Sequence, residues 1–334
     1  MSITKIVMTR SLLPVDQKYI ADGLKAVVGE SFELIAPPSY DEAGICEVIE
    51  DADAILGPFV TPAILERAKK LKLIQVPWAG MDTFDFSAVE NTTIPVCNTH
   101  SNADAVAELG VTLVLDLLKK VSYHDRKMRN GDWNREQQPL NLKSRMVSKQ
   151  RVCVLGCGNI GYRIAKLLCA FGAEVTAVDE NKAEDEILSK VYSNDEIEEA
   201  MKSADIAICT LPLTDVTRRL IDNTLIETMR DGILLVNMSR AEVMDEDAVY
   251  QALCSGKLGG FAADVWWNAP KRGESESYPS THNPFWQLDN VIMSPHRAGF
   301  VEGCLPHLDE AIVNLANLIQ GKDLINVVDV QNHY

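Results

Sequence analysis

Three short polar segments, each closing an apolar run, carry side chains suited to anion binding and proton transfer. They read Asn237-Met238-Ser239-Arg240, Ala263-Asp264-Val265 and Ser294-Pro295-His296-Arg297. An arginine presents a rigid fork of donors that matches a planar carboxylate, which a lysine does not. A histidine exchanges its proton near neutral pH and so serves as acid or base. Taken singly, each residue has an ordinary reading: Arg240 as a solvated loop arginine, Asp264 as a turn cap, His296 as a structural histidine. At successive strand ends they predict a site at the carboxyl edge of a parallel sheet, where open α/β sheets bind ligands.

A fourth segment predicts what shares that edge. Residues 151–155, RVCVL, run directly into Gly156-Cys157-Gly158-Asn159-Ile160-Gly161, and a helical stretch, YRIAKLLCAFG, opens at once. In this strand–turn–helix setting Gly156 permits the turn, Gly158 lets the backbone approach a pyrophosphate, and Gly161 lets helix and strand pack closely. The helix N-terminus supplies N–H groups and a positive dipole end for phosphates. Asp179 closes the next apolar run, EVTAVD, 18 residues after Gly161. A carboxylate there accepts bonds from ribose hydroxyls and repels a 2′-phosphate, which favours NAD over NADP. Lys182 is the nearby cation that would favour the opposite choice.

Bringing these segments to one edge requires a parallel sheet, and the chain alternates short apolar runs with helical periodicity. The second half predicts strands at 151–155, 174–178, 205–210, 233–237, 260–264 and 291–294. Nearly all are unbroken apolar runs, as expected of strands buried on both faces. The first hundred residues predict strands at 5–8, 32–35, 54–56, 73–76 and 94–97, with helices such as 17–28 and 41–50 between them. An amphipathic helix over 102–121 and a polar connector, GDWNREQQPLNLKSRM, join the two series. Asp245 heads a capped helix start, DEDAVYQAL, and the last helix, 308–319, is assigned back to the first domain. The predicted fold is α/β, with two Rossmann-like, doubly wound parallel-sheet domains. A flavodoxin-like substrate domain takes 1–101 plus 297–334, and an NAD-binding Rossmann domain takes 102–296.

The segments VAELG at 106–110, VLGCGNIG, LPLT, VNMSR, AADVW and SPHRAG occur in this order. With them the chain resembles the D-2-hydroxyacid dehydrogenase family. The resemblance implies an active site in the interdomain cleft and hydride transfer between NAD and C2 of a small 2-hydroxy or 2-oxo acid. By position it implies that Arg240 binds the substrate carboxylate and that His296 donates and accepts the proton. It implies that Asp264 orients the nicotinamide amide, with Pro212, Thr217, Met238 and Ser239 lining the cofactor. Ala79 and Gly80, in VPWAGMD, correspond to a loop whose backbone N–H groups hold the carboxylate. Trp78, Trp266 and Trp267 read either as an apolar pocket wall or as core packing. A homodimer, with the 102–121 helix and the connector at its contact, is also implied.

One position departs from that pattern. The family usually places a glutamate just before a proline, five residues after the aspartate, where it pairs with the histidine; here Ala269 precedes Pro270. An alanine cannot fix the imidazole tautomer or stabilise its cation, so the optimum for reduction is expected to shift toward acid. Glu274 or Glu276 in the following insertion, KRGESESYPSTHN, are candidate substitutes. The departure keeps two other readings open: an NAD-sensing, non-catalytic corepressor-like scaffold, and a dehydrogenase of a formate- or phosphite-type oxyanion. His100, just before the 102–121 helix, reads as turn-stabilising, and His282 as solvent-facing.

Composition narrows the classes further. The chain has 334 residues, room for two domains, with a net charge of −16 and dispersed Lys and Arg. No basic footprint for nucleic acid or an anionic membrane is present, and no apolar run reaches the length of a spanning helix. MSITKIVMTRSLLP lacks the apolar core of a signal peptide. The eight cysteines are scattered without CxxC pairs or a zinc-spaced histidine cluster, so reduced thiols, no metal and a cytoplasmic protein are expected.

Overall fold

A computed structural model describes residues 3–133, 143–271 and 274–331. Residues 134–142 of the connector, and Arg272 and Gly273 of the later insertion, lie outside the described residues. The chain divides into two units, Met1–Asn102 with Gly299–Tyr334, and Ala103–Ala298.

The first unit runs β1 (Thr4–Met8), α1 (Pro14–Val28), β2 (Phe32–Ile35), α2 (Glu42–Cys46), β3 (Ala54–Leu56), α3 (Pro62–Arg67), β4 (Leu73–Gln75) and β5 (Val96–Cys97). The strands form a parallel sheet in the order β2-β1-β3-β4-β5, the flavodoxin-like order. Ile6 on the central β1 faces Leu34 on one side and Ala54 on the other. The predicted strand 94–97 shortens because Pro95 has no N–H for the ladder; its carbonyl still accepts from Ile74. The predicted helix 41–50 begins as expected, with the Asp41 carboxylate accepting from Gly44 N–H, but its last turn tightens to i→i+3 bonds and ends early.

The second unit begins with α4 (Ala103–Lys119) and α5 (Val121–Arg129). The sequence predicted one helix to 121 and then connector. Instead Lys120 takes a left-handed φ of 55° and breaks the run. The Asp116 carboxylate accepts from the Ser122 N–H at 2.8 Å and from its hydroxyl, which re-caps the chain as α5 starts. Then follow β6 (Arg151–Leu155), α6 (Asn159–Ala170), β7 (Glu174–Val178), β8 (Lys190–Tyr192), α7 (Ile197–Ser203), β9 (Ile206–Cys209), α8 (Asn223–Thr228), β10 (Ile233–Asn237), α9 (Glu246–Ser255), β11 (Leu258–Ala263) and β12 (Val291–Met293). The edge strand β8 was not predicted, since its short KVY run sits among charges.

These strands form a parallel sheet in the order β12-β11-β10-β9-β6-β7-β8, which reverses direction between β6 and β9. Their carboxyl ends are level: Leu155 faces Cys209, Cys209 faces Asn237, Asn237 faces Ala263, and Ala263 faces Met293. Residues after each strand therefore emerge along one rim.

The last helix, α10 (Asp309–Gln320), packs in the first unit. Ile312 and Leu315 join Ile20 and Leu24 of α1 in one apolar cluster. Asn314, fully buried, donates to Gln75 Oε1 at 2.8 Å, while Gln75 Nε2 donates to the carbonyl of Val76 at 2.9 Å. A buried amide pair satisfied on this scale fixes α10 against β4 in one register. Among the described residues no helix is long and apolar enough to cross a membrane.

Candidate active site

The dinucleotide loop sits at the switch point of the second sheet. Gly156, directly after β6, has φ +80°, the left-handed region that glycine enters without penalty. Its carbonyl accepts the hydroxyl of Thr210, the residue that leaves β9 next door. At Gly161 a Cβ would stand 2.2 Å from that carbonyl and 2.6 Å from Thr210 Oγ1, so α6 can approach β6 only without a side chain. A Cβ at Gly158, in contrast, meets nothing within 4 Å, leaving open space before the first turn of α6. Gly158 is the N-cap of α6, so no side chain occupies the first-turn N–H groups from that position. The site fits a pyrophosphate between a positive helix end and a bare backbone. Gly161→Ala is expected to cost roughly 1–3 kcal/mol of stability, because backbone atoms must move, and to abolish NADH binding. Thermal unfolding and a fluorescence titration with NADH check both.

Asp179 follows β7, as predicted. Its Oδ2 accepts from Cys157 N–H at 2.7 Å and its Oδ1 from Asn181 N–H at 2.8 Å. The carboxylate is thus held beside the glycine loop, with acceptor capacity remaining on both oxygens. Lys182 lies over the Tyr162 ring, 4.1 Å from its centroid, and the Tyr162 hydroxyl donates to Asp185 at 2.6 Å.

The rim beyond β9 is stitched together. Thr217 donates to the Pro212 carbonyl at 2.6 Å and accepts from Thr214 N–H at 2.8 Å, which folds the LPLT segment into a compact turn. Ser239 donates its hydroxyl to the Leu211 carbonyl, and Met238 is buried beneath. Asn237, fully buried, accepts from Ser239 N–H and donates to the Arg240 carbonyl, both at 3.0 Å. The strand-end asparagine therefore sets the turn from which Arg240 leaves, with its Nη1 donating to the Ser239 carbonyl at 3.0 Å.

Asp264 is 2% exposed. Its Oδ1 accepts the Ser294 hydroxyl and the Arg297 N–H (3.0 Å), and its Oδ2 accepts the Ala298 N–H (2.9 Å). His296 lies between those anchors, exposed, with φ +53°. That conformation costs a non-glycine residue roughly 1–2 kcal/mol and persists only where the surroundings over-determine it, as at functional sites.

Trp266 and Trp267 are half-buried and pack against the core of the second unit with Phe261 and Phe285. Trp266 Nε1 donates to the Ser294 carbonyl at 3.0 Å and Trp267 Nε1 to the Met244 carbonyl at 3.2 Å. Each thus combines core packing with a satisfied polar handle. Glu274, one candidate substitute for the missing carboxylate, accepts from Lys271 N–H at 3.0 Å. His282 is solvent-facing, as expected, and meets Asp247 at 3.1 Å.

In the first unit, Trp78, Ala79 and Gly80 follow β4. Asn98 donates to the Ala79 carbonyl at 2.9 Å, and Thr99 N–H to the Trp78 carbonyl at 3.4 Å. The Arg10 guanidinium stands 4.7 Å from the Trp78 ring centroid. Sequence reasoning missed Arg10, although it follows β1, as it missed the supporting roles of Thr210, Asn237 and Ser294. The His100 backbone N–H donates to the Glu310 carboxylate.

Burial pushes the Cys97, Cys153 and Cys157 thiols up to about 12 and Cys209 up to about 11, which keeps them protonated at neutral pH. Among the described residues no group of three or more His, Cys, Asp or Glu is placed to hold a metal ion.

Two family models match the chain. Residues 6–180 match the model described as D-isomer specific 2-hydroxyacid dehydrogenase, catalytic domain, and residues 111–298 match its NAD binding domain. The D-3-phosphoglycerate dehydrogenase of Methanocaldococcus jannaschii is 30% identical over 317 residues, which cover 93% of this chain but 58% of that protein. The chain thus spans little more than half the length of this relative. The hydroxypyruvate reductase of Thermotoga maritima is 29% identical over 256 residues, covering 75% of this chain and 79% of that one. Among solved structures, a D-isomer specific 2-hydroxyacid dehydrogenase from Xanthobacter autotrophicus Py2, in complex with NADPH and MES, superposes with a TM-score of 0.80. It covers 100% of both chains at 22% identity, a likeness of fold.

Proposed function

The chain belongs to the D-isomer specific 2-hydroxyacid dehydrogenase family, and from that membership we propose that it interconverts a small D-2-hydroxy acid and its 2-oxo acid, with NAD as the hydride carrier. The observation that carries the reading is the rim of the second sheet. There Arg240 and His296 leave level strand ends of the same sheet that holds the glycine loop.

When bound, the nicotinamide supplies or accepts the hydride. Arg240 grips the substrate carboxylate bidentately and polarises the C2 oxygen. His296 as imidazolium gives a proton to the C2 oxygen during reduction, and as neutral imidazole removes it during oxidation. Asp264 would orient the carboxamide of a bound nicotinamide, with Pro212, Thr217, Met238 and Ser239 beside the cofactor. We place the reaction in the cytoplasm, where the eight unpaired cysteines would stay reduced. The protein acts there as a homodimer; α5 leaves Val121 and Met128 exposed, in keeping with a contact in that region.

The test is stereochemical. With NAD, the D-isomers of lactate, glycerate and related 2-hydroxy acids are oxidised and their L-isomers are not; equal rates on both would refute the reading. Oxidation of formate or phosphite in place of any D-2-hydroxy acid would favour the oxyanion alternative.

Asp179 sets the cofactor choice in this account. NADH is expected to be strongly preferred over NADPH. Asp179→Ala should reduce that preference by at least about tenfold, equivalent to ~1.4 kcal/mol, by removing a carboxylate that faces the 2′-phosphate. It should also weaken both cofactors, since Cys157 N–H loses its acceptor. Competition titrations of the two cofactors read both effects.

A further inference from the structure

Proton transfer by a loop histidine requires the loop to hold its place, and the 294–298 segment is held from two sides. We propose that Trp266 is a positioning residue for His296, its indole N–H and the buried Asp264 carboxylate forming a clamp that fixes the histidine's left-handed backbone. The inference rests on the proposed role of His296 in catalysis.

The clamp has distinct jaws. On one side Asp264 takes the Ser294 hydroxyl, the Arg297 N–H and the Ala298 N–H. On the other, Trp266 Nε1 donates to the Ser294 carbonyl at 3.0 Å. The Ser294 N–H is itself spent on the Ala263 carbonyl at 3.0 Å, so every polar backbone atom of Ser294 is committed. Residues on both flanks of His296 are therefore anchored while its own side chain stays exposed.

The indole is a rigid jaw. Its ring meets Phe261 edge-on at 5.7 Å and Phe285 at 5.9 Å, which prevents it from following the loop. A phenylalanine could fill most of the same space but has no N–H to offer. The Ser294 carbonyl, in a residue 8% exposed, would then lack its acceptor bond, and the loop would have to shift to find water.

Trp267 provides the control. It lies in the same aromatic cluster, stacked on Phe285 at 5.4 Å, but its N–H serves the Met244 carbonyl and not the histidine loop. In the full chain, Trp266→Phe is expected to speed amide exchange at Arg297 and Ala298, and Trp267→Phe to leave it unchanged. For 2-oxo acid reduction, Trp266→Phe should lower kcat by about tenfold to a hundredfold, with KM for NADH within about twofold. Added to His296→Ala, it should cost nothing further, because its effect passes through the histidine.

Ser294→Ala, which keeps the carbonyl but removes one bond to Asp264, should give a smaller kcat loss with the same dependence on His296, and serves if Trp266→Phe does not fold. Unchanged exchange at 297–298 in the Trp266 variant would overturn the clamp. So would an equal loss of kcat with and without His296, or an equal effect of Trp267→Phe. A wild-type protein that reduces no 2-oxo acid would instead refute the proposed function, while the exchange measurement would still decide whether the clamp exists.

Discussion

Arg240→Ala is expected to lower kcat/KM for 2-oxo acid reduction by about a thousandfold, the scale seen when a donor aimed at developing charge is removed. NADH binding should change far less, because the glycine loop and Asp179 lie at other strand ends. Arg240→Lys should recover little of the loss. A lysine is a point charge on a flexible stem and cannot reproduce a planar bidentate grip. The buried Asn237, which bonds the Arg240 carbonyl and the Ser239 N–H, aims the guanidinium from below. Steady-state kinetics beside an NADH titration separates the two effects. A uniform collapse of both would mean that the variant had lost its fold.

His296→Ala should reduce kcat by roughly a thousandfold, within the range attributed to a positioned general acid, with modest change in the KM of either substrate. In the wild type, reduction should fall as pH rises, since only the imidazolium donates a proton. Oxidation should rise over the same interval, since only neutral imidazole accepts one. In His296→Ala the residual rates should lose this opposed dependence. A wild-type reduction rate that stays flat between about pH 6 and 9 would remove His296 from the role of acid.

Much of this architecture was legible before any coordinates. Buried parallel strands announce themselves as unbroken apolar runs, and the six predicted for the second sheet are present with ends within two residues of those expected. The glycine motif was readable because its requirements are steric: Gly161 has no room for a Cβ and Gly156 takes a positive φ. The break at Lys120 was not legible. It depends on Asp116 reaching forward to Ser122, a choice that composition does not reveal inside a run of good helix formers. The edge strand β8 escaped because three residues carry too little pattern.

The candidate site divides along the same line. Arg240, His296 and Asp264 were picked out by residue type at strand ends, a signal that topology amplifies. The bonds that orient them were not readable: Asn237 and Ser294 stood in the same polar segments and Trp266 two residues after Asp264, with nothing to say what each would bond. Their roles depend on hydrogen bonds across strands far apart in sequence, such as Trp266 to Ser294 and Asp264 to Ala298. The packing of Trp266 and Trp267 against Phe261 and Phe285 was not readable for a related reason. A large aromatic at a strand end fills a core and a pocket equally well until its neighbours are known.

The most direct test of the account is NADH oxidation by the purified protein against a panel of 2-oxo acids of increasing side-chain size, with NADH affinity measured in parallel. Turnover of a limited subset, graded by side chain, is expected. Tight NADH binding without turnover of any member would contradict it, and would mark the chain as a protein that senses the dinucleotide rather than one that uses it.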